Sequence, residues 1–145
     1  MLYEIRKAEI KDLPEVYRLI CLLEETDLTF AVFKSFFEAN IKNPDCYYLV
    51  AGNKETIIGF ISCHVQKLLH HCGKVAEIQE MFVDQRYRQL GIGKQLIETM
   101  ETILKSASCV SLEVTANNKR LDAHKFYENA GFIHSHIKFV KQLKA

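Results

Sequence analysis

EIQEMFVDQRYRQLGIGK, residues Glu77 to Lys94, is the stretch that decides the fold. Ala76 to Val83 suits an extended strand, yet Glu77, Gln79 and Glu80 put three polar side chains in its middle. Asp84 to Tyr87 make a short turn. From Arg88 the pattern is Arg88-x-x-Gly91-x-Gly93, and an amphipathic helix follows at once. A strand, a glycine-bearing turn and a helix start gather several backbone N–H groups around one point. The first N–H groups of a helix lack partners inside it and its dipole favours negative charge there, so this is an anion site. Gly91 and Gly93 would let a phosphate approach the backbone with no Cβ in the way. The expectation is a phosphate-bearing ligand with the polar strand residues close by.

Upstream, Tyr3 to Lys7 alternates like an opening strand. Asp12 can cap a helix, with Pro14 in its first turn and Glu15 completing a capping box. Leu13, Val16, Tyr17, Ile20 and Leu23 carry its apolar face. Thr29 can cap a second helix bearing Phe30, Phe33, Phe36, Phe37 and Ile41. That aromatic stripe suits a core, and could also wall one side of a substrate cleft. Cys46–Ala51 and Thr56–Val65 form an antiparallel hairpin about a turn at Gly52 to Glu55. Lys67 to Gly73 is a loop or strand edge.

Downstream, Ile92, Leu96, Met100, Ile103 and Leu104 share one helical face. Val110–Val114 is a strand ending near Asn117. A short helix from Asp122 holds Phe126 and Tyr127, and Gly131 closes it in a left-handed conformation. Ile133–His136 and Ile137–Leu143 read as a last pair of strands. The order is β-α-α-β-β-β-α-β-α-β-β, a mixed α/β sheet with helices on both faces.

The 145 residues suit one domain spanning 1–145, with 48% apolar and 26% charged residues. A net charge of +1 argues against a general binder of nucleic acid or membrane surfaces. No apolar run approaches the roughly 20 residues of a membrane helix, and the N-terminus lacks a signal-peptide core. Five scattered cysteines without a CxxC point to free thiols in a reducing cytoplasm.

Gly91-Ile92-Gly93-Lys94 hints at a P-loop, but the first glycine is missing and Gln95 replaces the magnesium-holding Ser/Thr. The RxxGxG turn between strand and helix, the strand ending at Asn117, and Phe126-Tyr127-x-x-x-Gly131-Phe132 together resemble the GCN5-related N-acetyltransferase superfamily. The resemblance covers essentially the whole chain. It implies a GNAT fold whose sheet splays at the cofactor site, and an acetyl-CoA-dependent N-acetyltransferase. It implies that the backbone from Arg88 through Gln89, Leu90, Gly91, Ile92 and Gly93 to Lys94 grips the pyrophosphate. Arg88 and Lys94 would add charge or remain solvated. Met81, Phe82 and Val83 would pair with the pantetheine arm, and Asn117 would bond the same arm or serve only its turn.

In this family context Tyr127 is the candidate acid for the departing thiolate, its reference pKa being about 10; otherwise it packs on the sheet. An amine that arrives as ammonium also needs a base. A carboxylate at its reference pKa of about 4.3 is a weak one unless burial or a like charge raises it. Glu77 and Glu80 are the candidates, and strand alternation puts them on opposite faces unless a bulge near Gln79 rotates one. Counted back from Arg88, Glu77 falls where histone-type members place their base, so it ranks first.

A narrower set of strings resembles the aminoalkylphosphonate N-acetyltransferases. These are His64 with His70-His71, Glu77-Ile78-Gln79-Glu80, Asn117-x-Lys119-Arg120-x-Asp122-Ala123-His124-x-Phe126-Tyr127, and Ser135-His136. The phosphate turn departs from the usual pattern, with Gln89-Leu90 where Arg-Gly is common. This likeness implies a small aminoalkylphosphonate as acceptor and a divalent metal as a further participant, for which His70, His71 and Glu77 are candidate ligands. Clustered cations would hold the phosphonate: Lys67, His70, His71, Lys119, Arg120, His124, His136 and Lys138. The alternatives are a protein lysine or N-terminal acetyltransferase, which needs an open groove near Asp27–Phe37, and a CoA-binding module without catalysis. The C-terminal strands could complete a homodimer sheet.

Overall fold

The computed structural model describes residues 3–144. Five strands, β1 (Glu4–Lys7), β2 (Cys46–Gly52), β3 (Ile57–Leu68), β4 (Gly73–Val83) and β5 (Cys109–Val114), form one sheet in that order. Neighbours from β1 to β4 are antiparallel, and β5 joins β4 in parallel. Four helices, α1 (Leu13–Glu24), α2 (Phe30–Ile41), α3 (Ile92–Ser106) and α4 (Leu121–Asn129), complete the fold. This is the mixed, mostly antiparallel α/β sheet that the sequence leads one to expect.

The helices cover both faces. On one, Leu96, Ile97 and Met100 of α3 pack on Ile61 and Ile78. On the other, Val16 and Leu19 of α1 and Phe37 of α2 pack on Val50 and Phe60. Successive residues of β3 thus serve opposite cores, which is why the strand is apolar almost throughout.

Two local expectations fail for physical reasons. Asp12 does not cap α1, because a 3₁₀ turn at Ile10–Asp12 precedes the helix and turns its carboxylate backward. It accepts the Glu9 N–H at 2.8 Å and two Arg6 N–H groups at 2.8 Å each. Burial opposes the charge there, yet these partners outweigh it and hold the carboxyl below its usual range.

The second failure is at the C-terminus. Neither Ile133–His136 nor Ile137–Leu143 forms a strand; the chain continues past Phe132 without regular structure, and every side chain from Ile133 to Lys144 is exposed. A strand exists only by pairing, and this segment has no partner within its own copy.

Candidate active site

The β4–β5 ladder runs from the Lys74–Cys109 rung to Ile78–Val114 and stops. β4 continues through Gln79 to Val83, paired only with β3. Met81, Phe82 and Val83 therefore lie on an open edge about 17 Å long. The strands part because the chain after Val114 turns away into α4. Asn117 makes that turn: its Oδ1 accepts the Lys119 N–H at 2.9 Å, and its carbonyl accepts the Arg120 N–H at 2.9 Å. The same carbonyl lies 2.7 Å from His124 Nε2. The backbone carbonyl's two lone pairs are thereby used, whereas Oδ1 keeps one and the Nδ2 amide can donate, so the Asn117 side chain could still reach a ligand.

Beyond the open edge lies the α3 N-terminus. Gly91 caps it in the left-handed region at φ 82°, with no side-chain cap. The first helical bond runs from the Gln95 N–H to the Gly91 carbonyl at 3.0 Å, leaving the Ile92, Gly93 and Lys94 N–H groups ahead of the ladder. Gln89, at φ 65°, adopts a conformation that glycine enters more easily. The two glycines differ in purpose. Nothing lies within 4 Å of a Cβ at Gly91, whereas one at Gly93 would meet Met81 Cε and Phe126 Cζ, each at 3.2 Å. The missing Cβ at Gly93 makes room for Met81 of β4 and Phe126 of α4.

Of the two charges in the turn, Arg88 folds back onto the sheet. Its Nε donates to the Val83 carbonyl at 2.9 Å, and its guanidinium sits 4.9 Å above the Phe82 ring. Lys94 is exposed on the rim, 3.9 Å from Glu98. Leu90 is exposed and Ile92 is buried in the α3 core, so the contribution of Ile92 to a ligand is its backbone.

A bulge at Gln79 governs the carboxylates. Ser62 pairs with Glu80 but Cys63 pairs with Ile78, so Gln79 has no opposite number on β3. Glu77 opposite His64 and Glu80 opposite Ser62 consequently share the α1/α2 face. Glu77 reaches toward β5, where its Oε2 accepts the Thr115 hydroxyl at 3.2 Å and its Oε1 accepts Gln79 Nε2 at 3.3 Å. Glu80 instead accepts the hydroxyl of Ser62, which is fully buried.

Glu80 lines a cavity of about 280 Å³ between the sheet and α1/α2, together with Gln79, His64, Tyr48, Phe33 and Phe36. The aromatic stripe of α2 is thus divided: Phe37 is buried in the core while Phe36 stands largely open at the cavity. Tyr48 bonds Asn40 Nδ2 at 2.7 Å and lies 3.4 Å from His64 Nε2. Burial pushes its phenol up to about 12, Asn40 offsetting part of that and the Glu80 charge adding to it. Ser62, Tyr48 and Asn40 escaped the sequence reading. Their one signal is that Tyr48, Ser62 and His64 fall on the same face of the paired strands β2 and β3. A wider hollow of about 340 Å³ sits at the β3–β4 turn between Lys67 and Lys74, at the far end of the ladder from Glu80.

Tyr127 lies on the opposite face, half-buried against the α3 core, its ring 5.3 Å from Phe126 and 5.6 Å from Phe132. Burial raises its pKa, the positive charge of Arg120 lowering it in part. Gly131, at φ 96°, ends α4 as expected, and the Phe132 N–H returns to the Tyr127 carbonyl at 3.0 Å.

The expected metal ligands do not converge. His70 and His71 sit on an exposed 3₁₀ turn at Leu69–His71, whereas Glu77 pairs with His64, four rungs from the Leu68–Gly73 end of the ladder. Four rungs span about 13 Å, too far for one ion. Among the described residues no three His, Cys, Asp or Glu side chains are grouped to hold a metal. Nor do lysines or arginines line the cavity.

A sequence model of the acetyltransferase (GNAT) family matches residues 6–132. The chain belongs to the GNAT family. It is 38% identical over 140 residues to an aminoalkylphosphonate N-acetyltransferase of Salmonella typhimurium, covering 97% of this chain and 91% of that one. It is 28% identical over 149 residues to a glucosamine 6-phosphate N-acetyltransferase of Arabidopsis thaliana, covering 96% and 95%. An aminoglycoside N-acetyltransferase solved with CoA shares the fold at a TM-score of 0.87 and 18% identity, covering 99% of this chain and 96% of that one. This GNAT protein is an N-acetyltransferase that uses acetyl-CoA. Among the described residues no helix is long and apolar enough to cross a membrane, and all five cysteines are free.

Proposed function

We propose that this acetyltransferase acts on a small primary amine bearing a phosphonate or phosphate, an aminoalkylphosphonate first. The observation that carries the reading is the two-sided site. The open edge of β4 is flanked by Tyr127 on the α3 face and by Glu80 on the α1/α2 face. Acetyl-CoA fits the residues present: its pyrophosphate would take the free N–H groups of Ile92, Gly93 and Lys94, and its pantetheine arm the edge at Met81–Val83. Bound there, it supplies the acetyl thioester.

The amine would enter from the cavity. Glu80 faces that space while Glu77 is turned to Thr115, which supports Glu80 as the base that takes the ammonium proton, directly or through water. Tyr127, kept protonated by burial, would donate to the thiolate on the other face. The aminoalkylphosphonate and glucosamine 6-phosphate named for two relatives share a primary amine and a phosphorus oxyanion. For that oxyanion we assign Lys119 and Arg120, at the turn made by Asn117; the charge of Arg120 reaches Tyr127. The five free thiols fit a reducing compartment such as the cytoplasm.

A thiol-release assay with acetyl-CoA tests the reading. The acceptors are aminomethyl- and aminoethylphosphonate, glucosamine 6-phosphate, glucosamine and a lysine peptide. Turnover on the phosphonates, with little on glucosamine, is expected. Preference for glucosamine 6-phosphate would favour the sugar as acceptor, and turnover on the peptide alone would discard the small anionic amine.

A further inference from the structure

A base that has taken a proton must lose it before the next turnover. For Glu80 the Ser62 side offers no way out: that hydroxyl is fully buried, donates to the Glu80 carboxylate and accepts the Glu80 N–H. The proton therefore has to cross the cavity. Among the described residues lining that space, Glu80, Tyr48 and His64 alone can exchange a proton. Tyr48, its phenol pushed up to about 12, holds its own at rest.

Hydrogen bonding orders these groups. Asn40 Nδ2, a donor only, gives a hydrogen to the Tyr48 oxygen at 2.7 Å. The Tyr48 hydrogen is then directed at His64 Nε2, 3.4 Å away, which leaves the imidazole hydrogen on Nδ1. The two rings lie within 8° of parallel with centroids 6.1 Å apart, so Tyr48 also fixes the plane of His64. Register supplies the other end. Tyr48, Ser62 and Glu80 stand on one rung across β2, β3 and β4. His64 stands two residues along β3 from Ser62 on the same face, about 7 Å away. Cys46 faces His64 across β2 and Glu77 across β4, while α1 and α2 bring no charged side chain to the cavity lining. Glu77 is engaged by Thr115 and Gln79 instead.

We infer that Tyr48 and His64 form the proton exit of this site, carrying away the proton that Glu80 takes from the substrate ammonium. The inference rests on Glu80 as the base. The Glu80 O–H breaks, and its proton passes through water to the Tyr48 oxygen as the Tyr48 O–H breaks toward His64 Nε2. Glu80 is again a carboxylate, Tyr48 ends neutral as it began, and the positive charge rests on His64. The imidazolium gives its Nδ1 proton to solvent, which its half-buried position allows. Rotation of the Tyr48 hydroxyl and exchange of the imidazole hydrogen with water reset the chain.

Thiol release by the full chain is measured with whichever acceptor it turns over, so the result does not depend on the phosphonate assignment. His64→Gln and Tyr48→Phe each keep much of the side chain's bulk and remove one member of the chain. Each should lower kcat by about tenfold or more, with KM for the amine changed by less than about twofold and cooperative melting retained. His64→Ala should lose as much. Added imidazole should raise its kcat by about threefold or more while leaving Glu80→Gln unrescued, a response that damaged packing would not give. Full kcat in His64→Gln and Tyr48→Phe, with Glu80→Gln impaired, overturns the exit and leaves Glu80 as the base. Full kcat in Glu80→Gln overturns both. A loss in His64→Ala that imidazole leaves unchanged reduces His64 to a packing residue and overturns the exit.

Discussion

Ser62 and Glu80 hold each other across the β3–β4 ladder. The Ser62 hydroxyl donates to the Glu80 carboxylate and accepts the Glu80 N–H at 3.0 Å. The carboxylate nearest the cavity is thereby fixed by a fully buried neighbour. Glu77, three residues earlier, is tied to β5 through Thr115 instead. The pair divides one chemical group type between two surroundings.

Replacement of each carboxylate separates their roles. Glu80→Gln should lower kcat/KM by about 10²-fold or more, the usual cost of losing a general base. Glu77→Gln should cost about tenfold or less. The reverse order of losses in steady-state kinetics would assign the base to Glu77.

Tyr127→Phe keeps the packing against Phe126 and Phe132 and removes only the hydroxyl. A fall in kcat of about 10²-fold or more, with KM for acetyl-CoA nearly unchanged, is expected. Burial raises the phenol above its reference of about 10, so titration of Tyr127 should be absent from profiles below that pH. Full turnover in Tyr127→Phe would remove the acid role.

Gly91 and Gly93 should fail differently. Gly91→Ala meets no neighbour but forces a left-handed alanine, costing about 1–2 kcal/mol. Gly93→Ala gains about 1 kcal/mol of helix propensity and spends about as much displacing Met81 and Phe126, so its melting point should hardly move. The shift of Phe126 should instead be felt at its neighbour Tyr127, as a lower kcat. Urea unfolding and steady-state kinetics on both variants distinguish backbone strain from helix displacement.

Acid stability should depend on Asp84. It caps the turn after β4, and Arg86 first, then Arg18, hold its carboxyl near about 2 against the opposing effect of burial. A carboxylate depressed in the fold stabilises above its unfolded pKa of about 3.9, and that contribution disappears as pH falls toward 2. Asp84→Asn should lose about 1–2 kcal/mol at neutral pH, because Arg86 is exposed and screened, and should flatten the pH dependence between 4 and 2. Denaturant melts across that range measure both.

The fold was legible where one local signal governs one element. The aromatic stripe after Thr29 gave α2 its bounds at Phe30 and Ile41, and Arg88-x-x-Gly91-x-Gly93 located the α3 start. The parting of β4 and β5 came from family resemblance, and the ladder bears it out at Ile78–Val114. What local signals could not give is anything set by partners distant in the chain. The bulge at Gln79 could be named only as a condition, since it is defined by β3. The cavity draws on Tyr48, His64 and Phe36, far apart in sequence; the α2 aromatic stripe could be read as one wall of a cleft, but not the β2 and β3 residues that complete it. Sequence spacing left Arg88 either to add charge at the phosphate turn or to stay solvated, and could not show its side chain folding back to Val83. The alternating residues after Phe132 predicted strands correctly as a pattern and wrongly as a state, because pairing is not a property of the segment alone.

The bulge at Gln79 also acts as a phase marker in β4. Upstream and downstream of it the inside–outside alternation is out of step by one residue, and both carboxylates share the α1/α2 face only because of that offset. Closing the bulge with Gln79 still in the strand would invert one half of the strand relative to the other: either Glu77 would be driven into the apolar layer beneath α3, or Glu80 and everything after it would be. Deleting Gln79 would instead leave Ile78 opposite Cys63 and Glu80 opposite Ser62 in an unbroken ladder, with both carboxylates still on the α1/α2 face.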